Sequence, residues 1–592
     1  MKIMTNYRLL AKVMGLAKGV LPFYLLTLLP LCAAAQVSKN VTVEAVGQLS
    51  QQISNDEKFK ISELKVSGPL NSADIKLFQQ IVCRTKASDK KGECVVTSVD
   101  ISEAVFTEGK EGLPTSALPN GLFSGAGKLT KVVLPSGITS LGKSCFEDCA
   151  SLTEVQIPES VTVLDDETFK GCENLSSVTI PQGVTKLGEE VFENCKALTS
   201  IEIPDGVTSI GKQAFNGCKA LANVNIIAKI TKIDNTTFKG CESLTTITLP
   251  ESVKAIGSDA FRNCKSLAQI ELPEDCNEIG NSAFEGCQSL AQIDLTKVEK
   301  LGSNAFEECQ SLAVVSFDKL SKLGSGVFKN CISLKNVIIE GGIDEIGSNS
   351  FQGCTSLDSI SLSATVKTIG SSAFEKCQAL GQIDLPTSLT KIGSSAFEEC
   401  TSLRQIVIPM MVKTIGSSAF AGCVTLDSVA INGMIQEVDS KTFYRCSALR
   451  SITLPASVKK IDNKAFQECA SLQSIDLPVS LTSIDSDAFK KCSSLQSIKL
   501  PVGVTSIGNE AFTECTMLSQ VELSTALKKI GGSAFAKCPS LKEVIINSPA
   551  PPSISKSTFK GSMPAFIIPR GSLPVYIAHK DWKNVTGYKE KQ

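Results

Sequence analysis

A phenylalanine, a cysteine and a leucine recur together every 23 residues through most of this chain, and that recurrence constrains the fold more than any other feature. The cysteines are Cys149, Cys172, Cys195, Cys218, Cys241, Cys264, Cys287, Cys309, Cys331, Cys354, Cys377, Cys400, Cys423, Cys446, Cys469, Cys492, Cys515 and Cys538. The spacing drops to 22 only on the two sides of Cys309. A phenylalanine stands three residues before each (Phe146 to Phe535) and a leucine three residues after each (Leu152 to Leu541). A degenerate unit with Ala126 in the cysteine slot precedes the array, and another, in which Phe559 leads to Ser562, follows it. A unit this short cannot bury its own apolar residues. It closes a core only by stacking on copies of itself, so the period predicts a solenoid rather than a set of globular domains.

Each unit reads L-x-x-I-x-L-P, a turn, V-T-x-I-G, then x-x-A-F-x-x-C. The first piece alternates apolar and polar, which predicts a short strand with one buried face. Proline closes it in 11 units, Pro181 and Pro386 among them, because it cannot continue a ladder. The V-T-x-I piece predicts a second short extended run. The A-F-x-x-C-x-x-L piece, apolar at spacing three, fits a single helical or 3₁₀ turn. The slot after the second Ile is Gly in 13 units and Asp in five, Asp165, Asp234, Asp439, Asp462 and Asp485. It predicts a corner in which Gly supplies positive φ and Asp bonds its own backbone. At ~4.8 Å per turn, 20 turns make a rod of roughly 100 Å.

The first 35 residues read as a secretory leader. A basic segment ends at Lys18, an apolar stretch runs from Val20 to Leu31, and Ala33-Ala34-Ala35 supplies a cleavage site. Without Lys2, Arg8, Lys12 and Lys18 the 59 basic residues fall to 55 against 60 acidic ones, a balance of −5. A mildly acidic mature chain offers no basic stripe for nucleic acid. No later segment is long and apolar enough for a membrane helix. The expectation is a secreted or cell-surface protein, a periplasmic location also being open.

Exported chains often pair their cysteines, so one thiol per unit needs an account. Every array cysteine falls in an apolar slot between ladder Phe and Leu, and the two strays also take apolar slots, Cys145 that of the usual Ala before Phe146 and Cys276 that of the Val of V-T-x-I-G. In-register thiols pointing one way fit a disulfide dihedral poorly, and free cysteine packs as a small hydrophobe. Metal ligation lacks close-spaced pairs and histidine partners, since His579 is the only histidine. The expectation is a buried thiol ladder that fills the core, with no metal and no cofactor. Cys83 and Cys94, flanking a basic loop, could form a local disulfide or be core thiols.

With one histidine, a nucleophile–histidine pair could be built only on His579. The glycines of GGIDEIG (Gly341 to Gly347) belong to a repeat turn rather than a phosphate loop. No catalytic residue is assigned and no enzymatic activity is expected, a hydrolase with an unrecognised carboxylate site being the weakest alternative. What remains is surface. Residues five and seven after each cysteine should point outward from the first strand, and the candidate binding residues are among them: Glu154, Gln156, Glu202, Asn225, Thr248, Gln269, Glu271, Gln292, Asp294, Ser316, Gln382, Asp384 and Asp476. Over all units these slots hold eight acids and two bases. An exposed sheet face is polar without any function, so such a row is also what a merely solvated face would show. No Tyr or Trp occurs on that face, which favours a protein partner over a glycan. The two 22-residue spacings, each with a shortened turn carrying lysines (Lys297 and Lys300, Lys319 and Lys322), should alter local curvature. Surface turns tolerate length changes, so harmless drift accounts for these two as well; if the irregularity matters, the strand face around Gln269 to Ser316 is the first place to look for binding.

The unit, as in Ala364 to Pro386, resembles the BspA-type leucine-rich repeats of bacterial surface proteins. Val41 to Phe78 and Ala565 to Val585 resemble that family's N- and C-terminal caps. The resemblance implies a curved, right-handed leucine-rich-repeat superhelix, a solenoid of parallel short strands and short helical or 3₁₀ turns with a cap at each end. The expected organisation is a leader over 1–35, an N-terminal cap over 36–119, the solenoid over 120–548, and a last degenerate unit with the C-terminal cap over 549–592. The resemblance also implies adhesion or interaction with a protein of a host matrix or cell surface, against the alternative of an envelope component with no dedicated ligand.

Overall fold

The computed structural model describes residues 37–82, 95–108 and 113–592. The leader expected over 1–35 and the Cys83/Cys94 pair lie outside the described residues. The chain forms the expected solenoid, about 23 turns of parallel strands with little helix. Most turns contribute two short strands; the turns at Gln292 and Asp476 keep only a single bridge in the first ladder, 382–385 has no first strand, and 320–323 has no second. In the first ladder Gln405–Ile408 pairs in register with Ser428–Ile431, so that Gln405 faces Ser428 and Ile408 faces Ile431, 23 residues on. In the second, Thr368–Ile369, Lys391–Ile392 and Thr414–Ile415 pair in succession. Because the pairing offset equals the sequence period, identical slots stack: Ile on Ile inside, polar on polar outside.

The A-F-x-x-C segment departs from the expected helical turn. Its i→i−3 bonds are present, as where Cys377 N–H donates to Phe374 O (3.1 Å), but no helix propagates from them. Two residues per turn adopt positive φ, one two places before the ladder Phe and one two places after it. In the Phe374 turn they are Ser372 (54°) and Lys376 (62°). The left-handed residues turn every second N–H along the solenoid axis. Ser372, Phe374 and Lys376 N–H therefore donate to Ser394, Ala396 and Glu398 O of the next turn, at 2.7–2.8 Å. Among the described residues, all 29 non-glycine residues with positive φ occupy one of these two slots. Left-handed backbone costs an L-residue about 1–2 kcal/mol. All of them but Ser533 also gain an inter-turn hydrogen bond, which contributes about 1 kcal/mol.

The ladder phenylalanines stack without interruption from Phe123 to Phe559, with ring centroids 4.9–5.6 Å apart and planes within 11° of parallel. The cysteines are free and buried beside them. They do more than fill space. Every array cysteine donates its S–H to the carbonyl of the ladder Phe one turn earlier, at 3.1–3.3 Å. That carbonyl also accepts an N–H from within its own turn, so Phe351 O receives Cys354 N–H (3.1 Å) and Cys377 S–H (3.2 Å), one for each lone pair. The exceptions fit the same rule. Ser562, in the last cysteine slot, donates its hydroxyl to Phe535 O at 2.8 Å. Ala126 occupies the first slot, where the residue 26 positions earlier is Asp100 and no ladder Phe carbonyl exists.

The corner glycines serve a purpose other than the expected one. None of those after the second Ile has positive φ. A Cβ on Gly393 would lie 2.5 Å from Ser371 N of the preceding turn, and one on Gly211 would lie 2.4 Å from Gly188 O. The slot needs glycine because two backbones meet there. Where Asp replaces it, the carboxylate accepts the following amide, as Asp462 does from Asn463 N (2.7 Å), which agrees with the local backbone bond expected there.

Both ends are closed. At the N-terminus Ser38–Thr42, Glu63–Leu70, Ser98–Asp100 and Lys131–Val133 pair in parallel, and the helix Ser72–Ile81 packs beside them. Asn71 and Asp74 form a capping box on that helix, and Asp74 also accepts from Gly47 N and Leu49 N. Phe78 meets Phe123 edge to face (5.7 Å, 75°) and so ends the stack. At the C-terminus Phe566 does the same against Phe559, and the buried Trp582 donates Nε1–H to Pro552 O.

Candidate functional site

The thirteen sequence-predicted residues occupy outward slots of the first-strand side, although Gln382 and Asp384 lie in a turn whose segment joins no strand, where the ladder is interrupted between Ser359–Ser361 and Gln405–Ile408. In-register pairing puts Glu154 beside Ser177, Glu202 beside Asn225 and Thr246 beside Gln269, while single bridges link Gln269 to Gln292 and Thr453 to Asp476. Twelve of the thirteen are exposed; Ser316 is half-buried in the strand Val314–Phe317. Their inward neighbours, Ile201, Val224 and Ile247 among them, are buried, and this fixes which way the polar side chains face.

Two grooves gather part of the set. One, of about 410 Å3, is lined by Glu202, Asn225 and Thr248 with Ser200, Asn223 and Thr246. Within it Asn225 Nδ2 donates to Glu202 Oε2 at 3.2 Å. The larger, of about 640 Å3, is lined by Gln382 and Asp384 with Thr387, Gln405, Val407, Pro409, Met410, Met411 and Asn432. The other predicted residues line neither groove.

The structure reassigns Asp294. Its carboxylate accepts both the amide (2.9 Å) and the hydroxyl (2.7 Å) of Thr296, so it closes the shortened turn that lacks a strand-end proline. The Thr296 amide, then its hydroxyl, hold the Asp294 carboxyl below the usual carboxylate range. The lysines of the shortened turns also find local uses: Lys297 pairs with Glu274 (2.8 Å) and Lys300 with Glu278 (3.6 Å), both on the preceding turn. The irregularity itself is real. The second ladder stops at Lys300–Leu301 and resumes at Glu345–Ile346. A Cβ on Gly324 would stand 3.2 Å from the turn before, against 2.3 Å at Gly302, so the corner opens there.

Sequence reasoning missed the apolar part of this surface. Val407, Met410, Met411 and Met434 are 56%, 70%, 53% and 61% exposed. A signal was available. The slot just before the second-run aliphatic holds a small or polar residue in every other array unit, as in Ser388 and Ser457, but methionine in two successive turns, Met411 and Met434.

No group of His, Cys, Asp and Glu among the described residues could hold a metal ion. Burial pushes the thiols up, that of Cys276 and of Cys538 to about 11 and that of Cys218 and of Cys423 to about 12, which keeps them protonated and unreactive. His579 caps the helix Leu573–Ala578, and its Nδ1 accepts from Asp581 N at 3.3 Å. No helix among the described residues is long and apolar enough to cross a membrane.

A stack of short parallel strands with a leucine, an isoleucine and a fixed corner in each turn defines a leucine-rich repeat protein, a class whose members bind protein partners. Residues 116–245, 231–355, 321–450 and 436–564 match the BspA type leucine rich repeat region (6 copies), and the chain belongs to that family. No curated protein matches it. Among solved structures it is similar to a leucine-rich repeat protein from Bacteroides ovatus, with 29% identity over 69% of this chain and 88% of that one and a TM-score of 0.44. It is also similar to a leucine-rich repeat protein from Eubacterium ventriosum (22%, 61% and 88%, TM-score 0.37). It is similar as well to a leucine rich cell surface protein from Faecalibacterium prausnitzii, with 24% identity over 62% of this chain and 83% of that one and a TM-score of 0.28.

Proposed function

We propose that this is a non-enzymatic, exported protein that binds a protein of a host matrix or cell surface through the first-strand face of its solenoid. The observation that carries this reading is the register. Polar side chains repeat at matched slots over the length of the array on a rigid, buried ladder, which presents many weak contacts in one fixed arrangement. Such a face suits an extended partner, because each turn adds a contact without further ordering cost.

The test uses the full chain against a panel of purified, immobilised extracellular-matrix and cell-surface proteins. Binding should weaken when Gln269, Glu271, Gln292 and Ser316 are changed together to alanine, with little change in Tm; Asp294 is left in place because it closes its turn through Thr296. A chain that binds none of the panel, or whose binding survives both this variant and alanine at Asp384 and Asp476, refutes the strand-face reading.

A further inference from the structure

At the groove beside Asp384 a mostly polar face turns apolar over two successive turns, and its chemistry specifies an occupant. Val407 stands outward in the middle of the first strand of its turn, while Met410 and Met411 follow that strand's terminal Pro409. Met434 occupies the same slot as Met411 one turn later. Four large apolar side chains, each more than half exposed, thus crowd one stretch of two turns beside a groove of about 640 Å3. Methionine is suited to such a surface, because its flexible thioether repacks around differently shaped partners. The polar residues form a rim: Gln382, Asp384, Gln405 and Asn432.

Asp384 is the only charged residue in the lining, and it has no cationic partner within 4 Å among the described residues. Its nearest polar contact is the Gln382 amide, at 3.5 Å. A carboxylate left without a cation next to exposed methionines is complementary to a lysine or arginine adjacent to an apolar side chain. Stacked turns ~4.8 Å apart give the groove, across its three turns, a length of about 10 Å, room for two or three side chains.

We propose that this groove is the anchoring point of the binding face, and that it takes a polypeptide segment presenting an aliphatic or aromatic residue beside a lysine or arginine. The apolar residue packs on Val407, Met410 and Met411, and the cation pairs with Asp384. The inference rests on the strand-face reading above, which it narrows to one site and one partner chemistry.

The experiment selects binders from a displayed library of random 12-residue peptides on the immobilised full chain, then measures them in solution by fluorescence anisotropy. Selected peptides should share an apolar residue next to Lys or Arg. Their Kd should rise at least tenfold in a Val407→Thr, Met411→Gln double variant, as for loss of a central anchor. Asp384→Asn should raise Kd severalfold and flatten its salt dependence, with Tm unchanged in both variants because these side chains are exposed. An acidic or purely polar consensus, or affinity indifferent to the double variant, overturns the proposal. So does a concentration-dependent dimer in sedimentation that Met411→Gln abolishes, since the occupant would then be a second copy. The two readings fail separately: a matrix protein that binds the strand face regardless of the groove variants removes this proposal alone, whereas peptides that bind the groove of a chain that recognises no folded partner remove only the broader one.

Discussion

The thiol ladder makes the solenoid labile to alkali, and the size of the effect follows from the structure. Burial raises every ladder thiol from Cys172 to Cys538 above its ordinary value, seventeen groups in all. Unfolding returns each to water, where it ionises with a pKa of about 8.5. A folded pKa raised above the unfolded one means that the stabilisation is intact below about pH 8.5 and is lost as pH rises toward the folded value. At pH 9.5 ionisation favours the unfolded chain by about 1.4 kcal/mol per thiol, or roughly 24 kcal/mol for seventeen. With an unfolding entropy of roughly 2.1 cal/mol/K per residue, about 0.9 kcal/mol/K for the array over 120–548, Tm should fall by roughly 25 °C. The assay is circular dichroism melting from pH 7.0 to 9.5 with a phosphine reductant present throughout. A Tm constant within a few degrees would refute buried, protonated thiols.

Other consequences can be checked one residue at a time by denaturant unfolding. Phe374, whose ring stacks on Phe351 (5.4 Å) and Phe397 (5.3 Å), should cost about 3–5 kcal/mol on change to alanine. Glu399 holds a left-handed backbone (φ 58°), so Glu399→Gly should stabilise by about 0.5–1 kcal/mol despite the usual penalty of glycine. Gly217→Ala should do the opposite, by about 1–2 kcal/mol, because its Cβ would sit 2.4 Å from Asn194 Oδ1 at φ 75°.

The parts of this structure written in residue type were legible, and the parts written in hydrogen bonding between turns were not. Period-two alternation marked the first strands, and the apolar company of the cysteines marked them as buried. The left-handed slots escaped notice because their residues change along the array. Asp148, Gly171 and Asn194 suggest them, but Lys376, Glu399 and Arg445 adopt the same conformation against propensity. Bonds to the next turn impose it, and single-unit reasoning does not contain that turn. The thiol–carbonyl bond was hidden for the same reason, since its acceptor lies 26 residues away. The corner glycines were read as a dihedral requirement when the cause is a backbone one turn earlier. On the first-strand face, polarity picks out the thirteen candidate residues but passes over units whose outward slots are apolar, and the larger groove lies beside one of them, at Val407.

Counting thiols by mass tests the central claim most directly. The full chain, prepared without reductant, is treated with iodoacetamide once in native buffer and once in guanidinium, then digested. The account predicts that the eighteen ladder cysteines, together with Cys145 and Cys276, each take one carbamidomethyl group after unfolding and almost none while folded. Disulfide-linked peptides among the ladder positions, or ready labelling of the native protein, would contradict it.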